Sequence, residues 1–140
     1  DIDAVMVAGR YTLLEQPALD TLLPTAQKHG VEVLNAGVFN SGLLATATPH
    51  PDSRYEYTPA PPSLTRRAEA IAAVCARHGT SLPAAAIAFA GAHPAVTTVV
   101  LGAQTPAQVR RNAGLAPPPP ALWPDLVATG LLRADAPTPS

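Results

Sequence analysis

Apolar positions along this chain fall into short strand-like runs separated by longer stretches with helical spacing. Ala4-Val5-Met6-Val7-Ala8 is unalternating and partly β-branched, the pattern of a strand covered on both faces. Val31-Glu32-Val33-Leu34 reads as a second buried strand, and Val96-Thr97-Thr98-Val99-Val100-Leu101 is the most strongly β-forming run of all. Between the first two, residues 17–29 put Leu19, Leu22, Leu23 and Ala26 on one helical face. Pro24 must bend or restart that helix, and Gly30 after Lys28-His29 stops it. Residues 64–78 predict an Ala-rich helix with Ala68, Ile71, Ala72 and Cys75 inward, ended by Gly79. Ser81 reads as the N-cap of a helix over 82–92 with Pro83 in its first turn, and Thr105-Pro106 opens a short helix to Asn112 by the same logic. After a stiff spacer, Pro117 to Pro120, a last amphipathic helix is expected over 121–132, carrying Leu122, Trp123, Leu126, Val127 and Leu131. The tail beyond Arg133 is expected to fray.

Strands alternating with helices imply right-handed βαβ units and a parallel sheet. The expectation is three parallel strands near residues 3–8, 31–36 and 97–101, side by side in sequence order. The turns at Gly37 and Gly102 should then lie at one end of the sheet. Three such strands make a poor complete domain, because both outer ones are bare edges. Residues 45–63 read as a proline-rich, irregular loop carrying Tyr55 and Tyr57, and a loop of that length in a compact domain is often functional. The similar Lys28-His29-Gly30 and Arg77-His78-Gly79 are both helix stops and reflect unit repetition.

Composition sharpens this picture. The 140 residues suit one domain, but only 14% are charged against 47% hydrophobic. A typical domain carries about 25% charge, so some apolar surface is meant for a partner or for the remainder of a larger fold. The net charge is −1 with no basic stripe, which argues against nucleic acid, and no apolar run reaches a membrane span. Cys75 is the sole cysteine, so neither an internal disulfide nor a cysteine-based metal site can form. It reads as a small core residue in a reducing, cytoplasmic setting. The chain opens on Asp1 without a leader or an initiator Met, so a cut N-terminus is expected.

Catalytic motifs are scarce. His29, His50, His78 and His93 have no metal-ligand spacing, and His29 and His78 fit helix stops. Ser41 in Asn40-Ser41-Gly42 reads as a turn residue, since the sequence supplies no base beside it. Two strand-to-turn junctions do point to a ligand: Gly37 to Gly42, and Gly102 to Gln104 with a helix behind it. In parallel α/β folds ligands bind beyond the carboxyl ends of strands, and a helix start offers N–H groups to phosphate.

Three stretches together resemble the second half of an aldo/keto reductase, closest to the aldose (L-fucose) dehydrogenase branch. They are residues 7–16 (VAGRYTLLEQ), residues 30–44 (GVEVLNAGVFNSGLL), and His93-Pro94-Ala95-Val96 through Val100-Leu101-Gly102-Ala103-Gln104-Thr105-Pro106 to Asn112. The Tyr55-x-Tyr57 loop and Leu122-Trp123 also fit, so the resemblance covers nearly the whole chain. It implies an α/β fold, the C-terminal portion of a (β/α)8 TIM barrel comprising strands six to eight, their helices and the tail: a single incomplete fragment over 1–140. The family transfers hydride between a nicotinamide cofactor and a carbonyl or alcohol, such as a sugar. Its Asp, Tyr, Lys and His set belongs to the first half, so no catalytic residue is assigned here and the fragment is expected to be inactive alone. A non-catalytic nucleotide-sensing or protein-docking module is the alternative.

What this half supplies in the family is cofactor binding. Gly37, Val38, Phe39, Ser41 and Leu43 resemble the loop along the nicotinamide ribose and pyrophosphate. Gly102, Ala103, Gln104, Gln108 and Asn112 resemble the segment that holds the adenosine half. Asn112 suits the adenine edge, having both donor and acceptor, and the competing reading is a helix C-cap. Ala8 stands where many relatives have a Gln for the nicotinamide amide. Tyr55, Tyr57 and Trp123 are candidates to line a substrate pocket, with ordinary packing the competing reading. Gly102, Gln104 and Gln108 are neutral where NADP-dependent relatives commonly place cations, so NAD is slightly favoured over NADP. Arg111, nearer than Arg110 to the Gln108 face, complicates that preference.

Overall fold

The computed structural model describes residues 2–140. Strands β1 (Ala4–Ala8) and β2 (Glu32–Ala36) pair in parallel, in register from Ala4 opposite Glu32 to Ala8 opposite Ala36. A two-residue hairpin, β3 (Arg54–Tyr55) and β4 (Thr58–Pro59), follows, and then β5 (Val96–Val100), which pairs in parallel with the other edge of β2. The sheet order is β1-β2-β5, the sequence order that the alternation predicts. Val33 faces Val96 but Leu34 faces Thr98, so Thr97 is an extra residue that bulges the last strand.

The helices form where the caps stand. Residues Pro17–Leu19 make a 3-10 turn and α1 spans Leu22–His29, so the single helix expected over 17–29 is two pieces. Pro24 explains the break: it is the third residue of α1, where no intrahelical N–H partner exists, and it opens the helix without bending it. Gly30, at φ 66°, closes α1 by donating to the Ala26 and Gln27 carbonyls. Helix α2 spans Pro62–Arg77 and α3 spans Leu82–Ala90, the latter capped by the Ser81 hydroxyl accepting from Ala84 N. Helix α4 runs Pro106–Ala113 behind Thr105, and α5 runs Leu122–Ala128. The last helix is shorter than its apolar pattern predicts. Gly130 turns left-handed at φ 71°, and both Leu131 N and Leu132 N donate to the Leu126 carbonyl. The loop after β2 is likewise less irregular than expected, because 54–59 fold back as the hairpin.

The tail is tied down rather than frayed. Leu132 and Ala136 are buried, Arg133 bonds Asp20 at 2.7 Å and Asp135 at 2.7 Å, and Arg67 donates to the Leu14 and Leu131 carbonyls. The core lies between the sheet and the helices. Tyr11, Phe89 and Trp123 form its aromatic line, with ring centroids 5.0 Å and 6.4 Å apart. Cys75 is fully buried there, and burial pushes its thiol up to about 11. Asn35, in the middle of β2, donates from Nδ2 to the Tyr11 and Ala90 carbonyls and so pins the β1 exit to the end of α3.

One expectation fails in an informative way. The strands read as covered on both faces, but the helices cover only one. Val7, Val33 and Asn35 are buried against them, while Ala4, Met6, Ala8, Glu32 and Thr98 are exposed on the other face. Met6 keeps 59% of its surface accessible. The sheet is an unclosed segment, and among the described residues nothing covers its second face. No helix among these residues is long and apolar enough to cross a membrane.

Candidate functional site

The three long strands deliver their carboxyl ends to one side of the sheet. Gly9 and Gly37 end β1 and β2 in the left-handed region, at φ 66° and 65°. Gly9 N donates to the Ala36 carbonyl at 2.9 Å, and a Cβ on Gly37 would stand 2.9 Å from Gly9 N. The two turns therefore touch backbone to backbone, which only glycine permits. Beyond Gly37 the chain coils tightly: Asn40 N donates to the Gly37 carbonyl, and Gly42 N and Leu44 N both donate to the Phe39 carbonyl, each at 3.0 Å. Asn40 and Ser41 adopt φ 47° and 58° to allow this. On the neighbouring strand, Thr105 caps α4 by accepting from Gln108 N at 3.2 Å. The Gln108 Oε1 reaches back to accept from Gln104 N at 2.7 Å, which holds the turn after β5 against the helix start.

A cleft of about 590 Å³ lies between these two turns. Gly37, Val38, Phe39 and Ser41 form one wall, and Gly102, Ala103, Gln104, Gln108 and Asn112 the other. Leu43 is the exception among the residues expected there. Its side chain is fully buried in the core, because the coil after Gly37 turns it inward. Asn112 is not a helix cap: α4 continues to Ala113 and Gly114 closes it. Asn112 is only 8% exposed, and its Oδ1 has no hydrogen-bond partner among the described residues. Arg111 lines the cleft and Arg110 does not, as the helical wheel implies. Arg111 forms no ion pair among the described residues.

A second cleft, of about 750 Å³, adjoins the first across Gly37 and Ser41, and Tyr55 and Tyr57 line it with Ala8, Gly9, Arg10 and Glu56. Trp123 lines neither; it is buried against Phe89. Neither the buried Tyr11 phenol nor the half-buried Tyr55 phenol is prepared to ionise near neutrality. Burial, then a hydrogen bond to Glu15, pushes Tyr55 up to about 12, and burial alone drives Tyr11 far above its usual value. Two histidines are held in structural contacts: His78 Nε2 lies 3.0 Å from Asp125 Oδ2, and His93 Nδ1 accepts from Ala95 N. His78 is the C-cap of α2, as expected, but its ring packs against Asp125 rather than standing free in solvent.

Parallel strands, helices on one face and glycine turns gathered at the carboxyl ends are the parts of a (β/α)8 barrel. The aldo/keto reductase family model matches residues 1–117, and the chain belongs to that family. It is 46% identical over 141 residues to a D-threo-aldose 1-dehydrogenase of Pseudomonas sp, covering 99% of this chain and 42% of that protein. It is 38% identical over 112 residues to a pyridoxal 4-dehydrogenase of Microbacterium luteolum, covering 80% and 32%. An L-galactose dehydrogenase of Arabidopsis thaliana matches at 28% over 111 residues, covering 79% and 33%. The chain therefore spans less than half the length of each of these relatives.

Glu15 and Asn40 escape sequence reasoning. Asn40 and Tyr55 both donate to Glu15 Oε2 only because three separate loops converge, and no local pattern marks that.

Proposed function

We propose that these residues form the dinucleotide-binding part of an NAD(P)-dependent oxidoreductase that interconverts an aldose or related alcohol with its oxidised form. The named dehydrogenase relatives support the reaction class, and the substrate reading follows the aldose dehydrogenase match. The observation that carries the cofactor reading is Asn112. It is a nearly buried amide with an unpaired Oδ1, on the wall of a cleft at the strands' carboxyl ends. Buried polar groups are normally bonded, and an adenine edge offers the donor and acceptor that an amide needs. The glycine-led walls let a pyrophosphate approach backbone closely, beside a capped helix start.

A bound nicotinamide would supply the hydride acceptor or donor. The chain's own residues bind and orient: the Gly37–Ser41 coil on one flank, the Gly102–Gln104 turn braced by Gln108 on the other. The proton-handling Asp, Tyr, Lys and His belong to the family's first half. We assign no catalytic role to Tyr11 or Tyr55, whose phenols stay protonated.

NAD should serve at least as well as NADP, because Gly102, Gln104 and Gln108 offer no charge to a 2′-phosphate; among the described residues, Arg111 is the one cation on the cleft wall. The test uses the complete polypeptide that carries these residues. Asn112→Ala should weaken ADP-ribose binding about tenfold, in line with leaving a buried polar partner unsatisfied. Wild-type affinity in that variant would overturn the adenine reading. A kcat/KM preference for NADP above roughly tenfold, or about 1.4 kcal/mol, would overturn the cofactor preference, and its loss in Arg111→Ala would identify the cause.

A further inference from the structure

The second cleft is held together by one carboxylate outside both glycine turns. Glu15 Oε2 accepts from the Tyr55 hydroxyl at 2.7 Å and from Asn40 Nδ2 at 3.3 Å. Its backbone is fixed independently: Glu15 N donates to Thr12 Oγ1 at 3.0 Å, and Thr12 N donates to the Glu15 carbonyl at 2.8 Å. A locally rigid turn after β1 thus grips two other segments. Asn40 belongs to the coil on the wall of the first cleft; it is 4% exposed and sits at φ 47°, a conformation that needs external support. Tyr55 belongs to the β3–β4 hairpin, whose tip, Glu56-Tyr57, is also left-handed at φ 47° and 70°. Tyr57 is 91% exposed, so packing does not hold that tip. The only other side-chain ties from the hairpin to the rest of the chain, among the described residues, are Arg10 to Glu56 at 2.6 Å and Glu56 N to Ser41 Oγ at 3.2 Å. The Arg10–Glu56 pair is half exposed on both sides, and such pairs contribute little. The Glu15 bonds are part-buried and charge-assisted, hence stronger.

We propose that Glu15 is a positioning residue: its carboxylate sets the hairpin and the Gly37–Ser41 coil in the geometry that receives the dinucleotide. It contacts neither proposed cleft ligand nor reacting atoms, and it acts through Asn40 and Tyr55. This inference rests on the dinucleotide reading above for its ligand, but not for its structural core.

The experiment compares Glu15→Ala, Glu15→Gln and Tyr55→Phe in the complete polypeptide by amide hydrogen exchange and NADH titration. Both bonds fall on a single oxygen, so a glutamine carbonyl there accepts both without the charge, and Glu15→Gln should lie closer to wild type than to Glu15→Ala in both measurements. In Glu15→Ala, amides of 39–44 and 53–60 should exchange about tenfold faster, while those of β1, β2 and β5 hold their rates. Its NADH affinity should fall by a similar factor. Tyr55→Phe should accelerate 53–60 alone. Unchanged exchange in Glu15→Ala, a uniform rise across the strands, or failure of glutamine to rescue would each overturn the proposal. If wild type binds neither NADH nor NADPH, the dinucleotide reading fails, while the exchange rates still decide what Glu15 holds.

Discussion

Gly37 offers a clean separation of two costs that are usually confounded. Gly30, Gly37 and Gly79 adopt nearly the same left-handed backbone, at φ 66°, 65° and 67°. An alanine at any of them bears the same conformational penalty, roughly 1–2 kcal/mol, and the same offset from a stiffer unfolded chain. Their surroundings differ. A Cβ at Gly30 or Gly79 meets nothing within 4 Å, whereas at Gly37 it stands 2.9 Å from Gly9 N and 3.4 Å from Gly9 Cα. That neighbour is backbone, bonded to the Ala36 carbonyl, so no rotamer relieves the clash. The strand ends must part, at an overpacking cost of about 1–3 kcal/mol. Gly37→Ala should therefore cost about 2–5 kcal/mol in all, against about 1–2 kcal/mol for each control. Urea unfolding of the three variants side by side measures the difference through their midpoints. Parting the turns also displaces Val38 and Phe39, so NADH affinity should drop in Gly37→Ala and hold in both controls. Equal midpoints for Gly37→Ala and Gly30→Ala would refute the close-approach argument, whatever the affinity.

Two further outcomes follow. The purified 140-residue chain should show no cofactor-dependent sugar oxidation above buffer, because hydride transfer needs a proton acceptor tuned near working pH and the Tyr11 and Tyr55 phenols are both shifted upward; any reproducible turnover would overturn the division of roles between barrel halves. The Asp125 carboxyl is held below its usual range by His78 and then Arg77, at 3.0 Å and 3.1 Å. A depressed folded-state value stabilises above the unfolded value of about 4 and is lost as pH falls through the folded one. Unfolding curves of wild type and Asp125→Asn should thus differ most near neutral pH and converge in acid, and a gap that persists below pH 3 would contradict the linkage.

Local chemistry accounts for most of what the sequence makes legible. Ser81 and Thr105 cap the helices they precede, and Gly30 and Gly79 terminate theirs, because caps act within one turn of chain. The strand order follows from the handedness of βαβ crossovers, which needs no side-chain detail. What the sequence hides depends on convergence. Leu43 shares a segment with cleft residues, yet a coil built on two left-handed residues, Asn40 and Ser41, turns it inward, and nothing in Asn-Ser-Gly reports that direction. The tail looks free from composition but is fastened by Arg133 to Asp20 across the fold. Glu15 has no sequence neighbour that reports its role, which arises only where Tyr55 and Asn40 arrive beside it.

The exposed face of the sheet links the fold to the proposed function. Met6 and Leu34 stand opposite each other in the register, and neither lies under a helix. Exposed apolar side chains in the middle of a parallel sheet are unfavourable by about 25 cal/mol per Å² relative to their buried state. In a (β/α)8 barrel that face is the packed interior, filled by layers of side chains from alternate strands. The unalternating sequence of β1 suits such an interior, whereas the 140 residues cover one face only. The same closure would bring the turns after other strands next to Gly37 and Gly102, so covering the bare face and bringing in the proton-handling groups that the proposed function assigns to other strands would be two aspects of one requirement. Burying Met6 and completing the site are then coupled. In the complete polypeptide, Met6→Asp would place an uncompensated charge in that interior and should impair folding and cofactor binding together. In the 140-residue chain the same substitution lies on an exposed face and should be close to neutral for stability.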